Sequence, residues 1–307
     1  VPISWETELT QTRSVQLGEL LAATYAADGR PMLAESVIPD EIRAGRKCFA
    51  EREDGTLLGF AYFEGGPDAF GRAVAELFVH PEHRNAGVGE QLTGALLDDA
   101  GIAAGAKDGD RLRVWSHGDH PAAAAIARNR GFGRARELLR MRLDLGAAEL
   151  PEPTLPEGGR LRTFVPGRDE RALIEVNRRA FDWHPEQGEL SVADLMREEN
   201  EDWFDAAGFF LAERDERLIG FHWTKVHERV VADDSGEPVG EVYVVGVDPG
   251  AQGGGLGRAL TIAGLRHLRQ RGLHTAMLYV ESDNPAAVRV YERIGFRVWD
   301  VDVQYSH

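Results

Sequence analysis

Between an apolar run and a helical pattern, the segment VVGVDPGAQGGGLGRAL (244–260) places Gly253, Gly254, Gly255 and Gly257. Glycine weakens regular structure but lets a backbone approach a ligand closely. The ligands that such turns hold are phosphates, gripped by amides at a helix N-terminus. Two common phosphate patterns fail here. A P-loop needs Gly-x-x-x-x-Gly-Lys-[Ser/Thr]; Gly250 and Gly255 have the spacing, but Leu256 and Gly257 follow. A dinucleotide fingerprint needs Gly-x-Gly-x-x-Gly; counted from Gly253 its last position is Arg258, and from Gly255 it is Leu260. The pattern that remains is Val-x-Pro-x-x-[Gln/Arg]-x-x-Gly-x-Gly, opening a helix. It occurs twice, as Val79–Gly89 and Val247–Gly257. His117 and His120 have a spacing that metal ligands can use, but no third ligand accompanies them in the sequence, and no metal is expected.

The elements that position these turns are themselves duplicated. Val79-His80-Pro81 matches Val247-Asp248-Pro249 at an offset of 168 residues. HPAAAAIARNRGFG (120–133) resembles NPAAVRVYERIGFR (284–297), with Gly131-Phe132 and Gly295-Phe296 offset by 164. Two ordered motifs at nearly constant offset imply an internal duplication. The first half reads as a helix (17–28), a hairpin (47–54, 56–63) around Asp54-Gly55, a strand (73–80), a helix (87–104), a strand (111–117), a helix (121–130) and a strand (136–145). The second reads as helices at 169–181 and 191–200, strands at 208–213, 217–227 and 240–247, then helix 255–271, strand 275–281, helix 285–294 and strand 296–305. Each half is thus an α/β unit, a mixed sheet with helices on its faces. Pro151, Pro153 and Pro156 exclude regular helix or central strand from LGAAELPEPTLPEGGR. The expected division is a first domain at 1–145, a linker at 146–159 and a second domain at 160–307.

Composition narrows the function classes. Lys plus Arg total 35 and Asp plus Glu 51, a net charge of −16. That argues against nucleic acid or an anionic membrane as the main partner. It leaves a small anionic ligand open, because amides bind phosphate locally. Cys48 is the single cysteine, so an internal disulfide and a cysteine metal cluster are both excluded. The start VPISWETELT lacks the basic and apolar regions of a secretory signal, and it opens on Val1, as in a trimmed or processed chain. A cytoplasmic protein is expected.

The doubled motif resembles the acetyl-CoA-binding turn of the GNAT superfamily of acyltransferases, which grips the cofactor diphosphate with successive amides. FDWHPEQG (181–188), GFHWTKVH (220–227) and LYVESDNPAAVRVYERIGF (278–296) are similar to the mycothiol-forming tandem GNAT enzymes of actinobacteria. The likeness extends to ADGRP (27–31), ELFVHPEHR (76–84) and WSHGDHPAA (115–123), and covers nearly the whole chain. One departure is Gly253-Gly254, where basic residues are expected; a side-chain contact to phosphate is lost there, while amide contacts are kept. The resemblance implies two tandem GNAT domains. It also implies transfer of acetyl from acetyl-CoA to the cysteinyl amine of a cysteine–glucosamine–inositol conjugate, a small thiol-sugar, giving mycothiol.

Acetylating an amine requires a base for the ammonium proton, a donor for the thioester oxygen and an acid for the leaving thiolate. The resemblance assigns the base to Glu241, and to Tyr291 the donation of a proton or a hydrogen bond to the CoA sulfur. Strand alternation puts Glu241 on the face of Tyr243, Val245 and Val247 unless a bulge intervenes. Cofactor contacts carry over to Val245, Gly246 and Val247 and to Gln252, Gly253, Gly254, Gly255, Leu256, Gly257 and Arg258. They also carry over to Asn284, Pro285, Ala286, Ala287, Val288 and Arg289. In the first half the corresponding positions are Leu77, Phe78, Val79, Arg84, Gly87 and Gly89. Substrate contacts carry over to Glu35, Glu186, Lys225, Glu241 and Tyr279. By the two offsets Glu241 corresponds to Ala73 and Tyr291 to Ala127; Glu76 corresponds to Val244 and is expected on the opposite face. The first half therefore keeps the cofactor turn without the chemical groups, and one active half, the second, is expected. Rival readings are another small-amine or peptide acetyltransferase of this fold, and a non-catalytic acyl-CoA-binding protein. The tandem already supplies a pseudo-dimer, so a monomer is expected.

Overall fold

The computed structural model describes residues 1–29, 42, 45–64, 68, 71–101, 111–182, 187–228 and 237–307. Among these, no helix is long and apolar enough to cross a membrane. The first part of the chain forms β1 (Ile3–Glu6), α1 (Gln11–Ala27), β2 (Lys47–Glu51), β3 (Leu57–Phe63), β4 (Ala73–Val79), α2 (Val88–Asp99), β5 (Leu112–Ser116) and α3 (Pro121–Arg130). It continues through β6 (Gly133–Asp144), β7 (Arg160–Thr163), α4 (Glu170–Ala180), α5 (Val192–Glu198), β8 (Phe209–Arg214) and β9 (Arg217–His227). It closes with β10 (Val239–Val247), α6 (Leu256–Gln270), β11 (Thr275–Glu281), α7 (Pro285–Ile294) and β12 (Arg297–Ser306).

Two compact units emerge, and they are not the contiguous halves of the chain. One holds Val1–Leu138 with Asp300–His307; the other holds Leu139–Glu228 with Glu237–Trp299. The first unit's strands run β1-β2-β3-β4-β5-β12, with β4 and β5 parallel and β12 antiparallel to β5. The second unit's run β6-β11-β10-β9-β8-β7, with β10 and β11 parallel. Each sheet is thus completed by a strand from the other end of the repeat.

The proline-rich segment 146–159 has no helix or strand, as its ring-fixed backbone requires. It nevertheless packs on the second unit. Leu150 is buried with the core of α6, and Leu155 lies against the cluster of Leu256 and Leu260. Arg266 and Arg269 of α6 donate to the Leu150 and Ala148 carbonyls at 2.9 and 3.2 Å.

Helix α6 buries Leu256, Leu260, Ile262, Leu265 and Leu268 against β8–β10. Its approach is close: a β-carbon on Gly240 would meet Leu268 at 2.8 Å. His222 on β9 is fully buried, and its Nδ1–H donates to the Leu260 carbonyl at 2.8 Å. Burial pulls its pKa down to about 4, so this histidine is a neutral tie between sheet and helix. Helix α7 starts where Asn284 accepts from the Ala287 amide at 3.1 Å, has Pro285 in its first turn and ends at Gly295.

Candidate active site

A single irregularity in β10 opens the second unit. The β9–β10 register runs Lys225 opposite Glu241 and Thr224 opposite Val242, then shifts so that Trp223 faces Val244. Tyr243 is the extra residue of this bulge. On the other side of β10, the parallel ladder to β11 pairs Gly240 with Ala276 and Glu241 with Met277, and goes no further among the described residues. Beyond Glu241 the two parallel strands separate. The edge of β10 at Val245, Gly246 and Val247 then keeps main-chain donors and acceptors that no neighbouring strand takes up.

The bulge also corrects the expected alternation. Val242 and Val245 join the cluster under α6, whereas Tyr243 and Val244 pack with Trp223 on the other side. Glu241 shares its face with Tyr243 but not with Val245 or Val247.

The glycine turn follows directly. Gly253 and Gly255 have φ of +87° and +81°, the left-handed region that favours glycine. Glycine at 253 meets this conformation without strain. Helix α6 begins at Leu256 with no side-chain cap and no acidic residue in its first turn. Its first intrahelical bond is Ala259 to the Gly255 carbonyl. The amides before it, from Leu256 to Arg258, are the free donors of a helix N-terminus, with the exposed Arg258 beside them. These residues fit a diphosphate.

Glu241 is 7 % exposed, and the Nε2–H of His227, 4 % exposed, donates to its Oε2 at 2.7 Å. Lys225 sits opposite Glu241, its ammonium 4.4 Å from the Trp203 ring centroid and 5.4 Å from that of Tyr243. The Tyr243 hydroxyl donates to Glu198 of α5 at 3.2 Å, and burial pushes the Glu198 carboxyl above its usual range. On β11, Ala276, Leu278 and Val280 pack toward α6, so Met277, Tyr279 and Glu281 alternate onto the Glu241 face. Tyr279 is exposed, with Arg140 5.5 Å from its ring centroid. Tyr291 stands on α7, half-buried against Phe296, and burial raises its pKa to about 12. Asn284 caps the same helix, and Pro285 to Arg289 begin it. Glu35 and Glu186 lie outside the described residues. Reasoning from sequence missed His227, Trp203, Tyr243 and Glu198. His227 ends the very segment GFHWTKVH that carried the resemblance, and pairing that segment with Glu241 would have exposed it.

The first unit repeats the turn without the bulge, and its parallel ladder runs further before it stops. Asn85 (φ +61°) and Gly87 (φ +82°) hold the left-handed positions of Gly253 and Gly255. Its β3–β4 register has no shift, and its parallel ladder pairs Ala73 with Leu112 and continues to Glu76 opposite Trp115. Ala73 therefore matches Gly240, and the bulge makes Val74, rather than Ala73, the counterpart of Glu241. Glu76 lies on Val74's face, so its expected opposite orientation is also corrected. It is tied to His117 Nε2 at 2.8 Å. Burial would lower the His117 pKa, but Glu76 and Asp302 outweigh it and raise it to about 10. Arg84 donates to both oxygens of Asp28, at 2.6 and 2.9 Å, where exposed Gln252 reaches only the Val247 carbonyl in the second unit. Glu90 stands in the first turn of α2 where Arg258 stands in α6. Leu77, Phe78, Val79, Arg84, Gly87 and Gly89 do line one cavity, of about 320 Å³.

Comparison with known proteins agrees with this duplicated architecture. The sequence profile of the Acetyltransferase (GNAT) family matches residues 15–136 and again 177–296. A mycothiol acetyltransferase of Saccharomonospora viridis is 53 % identical, across 98 % of this chain and 97 % of that protein. One from Amycolatopsis mediterranei is 51 % identical, across 98 % of both. Among solved structures, a GCN5-related N-acetyltransferase from Sphaerobacter thermophilus superposes with a TM-score of 0.74 at 22 % identity, covering 99 % of this chain and 95 % of that one. A tandem GNAT protein from the clavulanic acid biosynthesis pathway gives 0.66 at 19 %, covering 100 % and 98 %. At these identities the two structures share the fold alone. The duplicated turn, the bulged strand and the full-length relatives together make this chain a member of the GNAT acetyltransferase family, in its tandem form, among the mycothiol acetyltransferases.

Proposed function

We propose that this chain transfers acetyl from acetyl-CoA to the cysteinyl amine of a cysteine–glucosamine–inositol thiol, giving mycothiol, and that the second unit does the chemistry. The observation that carries the placement is the position of Glu241: a buried carboxylate on the last paired residue before β10 and β11 separate. In this reading the diphosphate rests on Gln252–Arg258 and the start of α6. The pantetheine arm runs along Val245–Val247, as an added strand would. The start of α7 with its cap, Asn284–Arg289, borders it.

The acceptor is an α-amine with a pKa of about 7–8, so part of it is already neutral at pH 7 and a carboxylate suffices to take the remaining proton. Glu241 takes that proton as nitrogen attacks the thioester carbonyl. A main-chain N–H on the free edge of β10 supplies the donor for the oxygen where charge gathers. When the C–S bond breaks, sulfur leaves as a thiolate. An ordinary thiol has a pKa of about 8.5; Tyr291, at about 12, is the weaker acid. Tyr291 therefore stabilises the sulfur by hydrogen bonding, and the proton reaches it from solvent. Lys225, Tyr279, Glu241, Glu35 and Glu186 contact the sugar–inositol acceptor. The reading includes a cytoplasmic monomer without nucleic acid or membrane partners; the net charge of −16 supports the absence of those polyanionic partners.

Mass spectrometry of the purified protein with acetyl-CoA and the cysteine–glucosamine–inositol thiol, beside a panel of simple amines, tests this. One acetyl gained on the cysteine amine, with the panel untouched, is the expected result. Acetylation of the panel but not of the conjugate would discard the acceptor and keep the chemistry.

A further inference from the structure

The carboxylate assigned as base is not alone in its pocket. The Nε2–H of His227 points at Glu241 Oε2 from 2.7 Å, and both side chains are more than nine-tenths buried. A buried carboxylate needs its lone pairs satisfied, and a ring N–H fixed by its strand is a rigid way to do so. His227 is the last residue of β9 and pairs with Val239, two positions before Glu241 on β10. The antiparallel ladder therefore sets the separation of the two side chains, and the bulge lies beyond both. Lys225, opposite Glu241, is already held over the Trp203 and Tyr243 rings.

We propose that His227 is a positioning residue of the acetyl transfer: its N–H immobilises one oxygen of Glu241 so that the other meets the acceptor ammonium. The inference rests on Glu241 being the base. Proton transfer needs heavy-atom approach within hydrogen-bond reach, and a carboxylate free to rotate about its last two bonds spends little time there. The imidazole neither gives up nor gains a proton in the step; the ammonium proton ends on the outward oxygen of Glu241.

Substitutions at His227 and Glu241, alone and together, decide it. His227→Leu removes the donor and is expected to lower kcat about 10- to 100-fold, the usual range for one hydrogen bond to a charged group, with the KM for acetyl-CoA unchanged. His227→Gln, whose amide nitrogen falls where Nε2 was, should restore most of that loss. In a Glu241→Gln background, His227→Leu should add almost nothing, because its effect passes through the carboxylate. Should the leucine variant fail to fold, His227→Asn, whose shorter amide does not reach Glu241, is read in its place. Wild-type kcat in the leucine or asparagine variant, or a glutamine variant as impaired as either, overturns the positioning role. A silent Glu241→Gln overturns the base assignment itself, and the inference with it; an impaired Glu241→Gln beside a silent His227→Leu overturns the inference alone.

Discussion

In the proposed reaction Glu241 takes a proton and Tyr291 only lends a hydrogen bond, so their substitutions should read out differently. Replacing Glu241 by Gln keeps shape and hydrogen bonding but removes the base; kcat should fall about 10²–10⁴-fold in steady-state assays. An unchanged kcat across the pH range would remove Glu241 from the mechanism. Tyr291→Phe removes only a hydrogen bond to sulfur, so a fall of about 10- to 100-fold is expected, and acetyl donors with more acidic thiols should suffer less. If all donors lose equally, the phenol is packing, as its contact with Phe296 already allows. His117 makes a different prediction, about stability. Its pKa rises from an unfolded value near 6.5 to about 10 when the first unit folds. The stabilisation is fully present below pH 6.5 and is lost as pH climbs through 10. Denaturant titrations should show stability declining across that window, and His117→Gln should flatten the decline.

At the scale of elements, the glycine turn and the bulge divide the work between binding and opening. The turn was legible in the sequence because left-handed backbone selects glycine or asparagine, and Gly255, Gly87 and Asn85 obey that rule openly. The strands and helices between the motifs were legible for the same local reasons, periodicity and caps; Asn284-Pro285 and Gly295 mark both ends of α7. The bulge was not legible. Its signal is the failure of a ladder between two strands, and neither Val242 nor Tyr243 is unusual in itself. The error it caused was specific: counting by a constant offset made Ala73 the partner of Glu241, where the structure selects Val74. Strands β1 and β7 were missed too. Each has four residues, too few for alternation to stand out. The turn carries a direct test. Gly255→Val forces a β-branched residue into φ near +81°, at a cost of about 1–3 kcal/mol. It should raise the KM for acetyl-CoA far more than that for the thiol acceptor; calorimetry of acetyl-CoA binding checks it. Comparable loss of affinity for both substrates would mean general unfolding instead.

At the scale of the whole chain, duplication and strand exchange bear on what can be separated. The sequence shows a repeat whose natural cut is the proline-rich segment. The compact units follow another division. The first sheet is finished by the last residues of the chain: Val303, Gln304, Tyr305 and Ser306 pair with Ser116, Trp115, Val114 and Arg113. His307 adds main-chain bonds to Arg111 and Leu112, while Val303 and Tyr305 enter the core under α2. Asp302 accepts from the Gly118 amide at 2.9 Å and flanks His117. The second sheet, in turn, takes Met141, Leu143 and Leu145 from the end of the first repeat into its core. A periodic sequence cannot announce this, because corresponding strands of the two repeats have interchangeable patterns. Removing 300–307 leaves the second unit's residues untouched, including Glu241 and Tyr291, yet strips from the first the strand that pairs with β5. A buried Val alone is worth about 1.5–3 kcal/mol, and a domain's whole margin is about 5–15. Hydrogen exchange on the truncated chain should therefore show loss of protection in β4 and β5, at the opposite end of the sequence from the deletion. Protection in α6 and β10 should persist. If 1–145 instead folds alone with native protection in β5, the exchanged strand is dispensable and the contiguous halves are the true folding units.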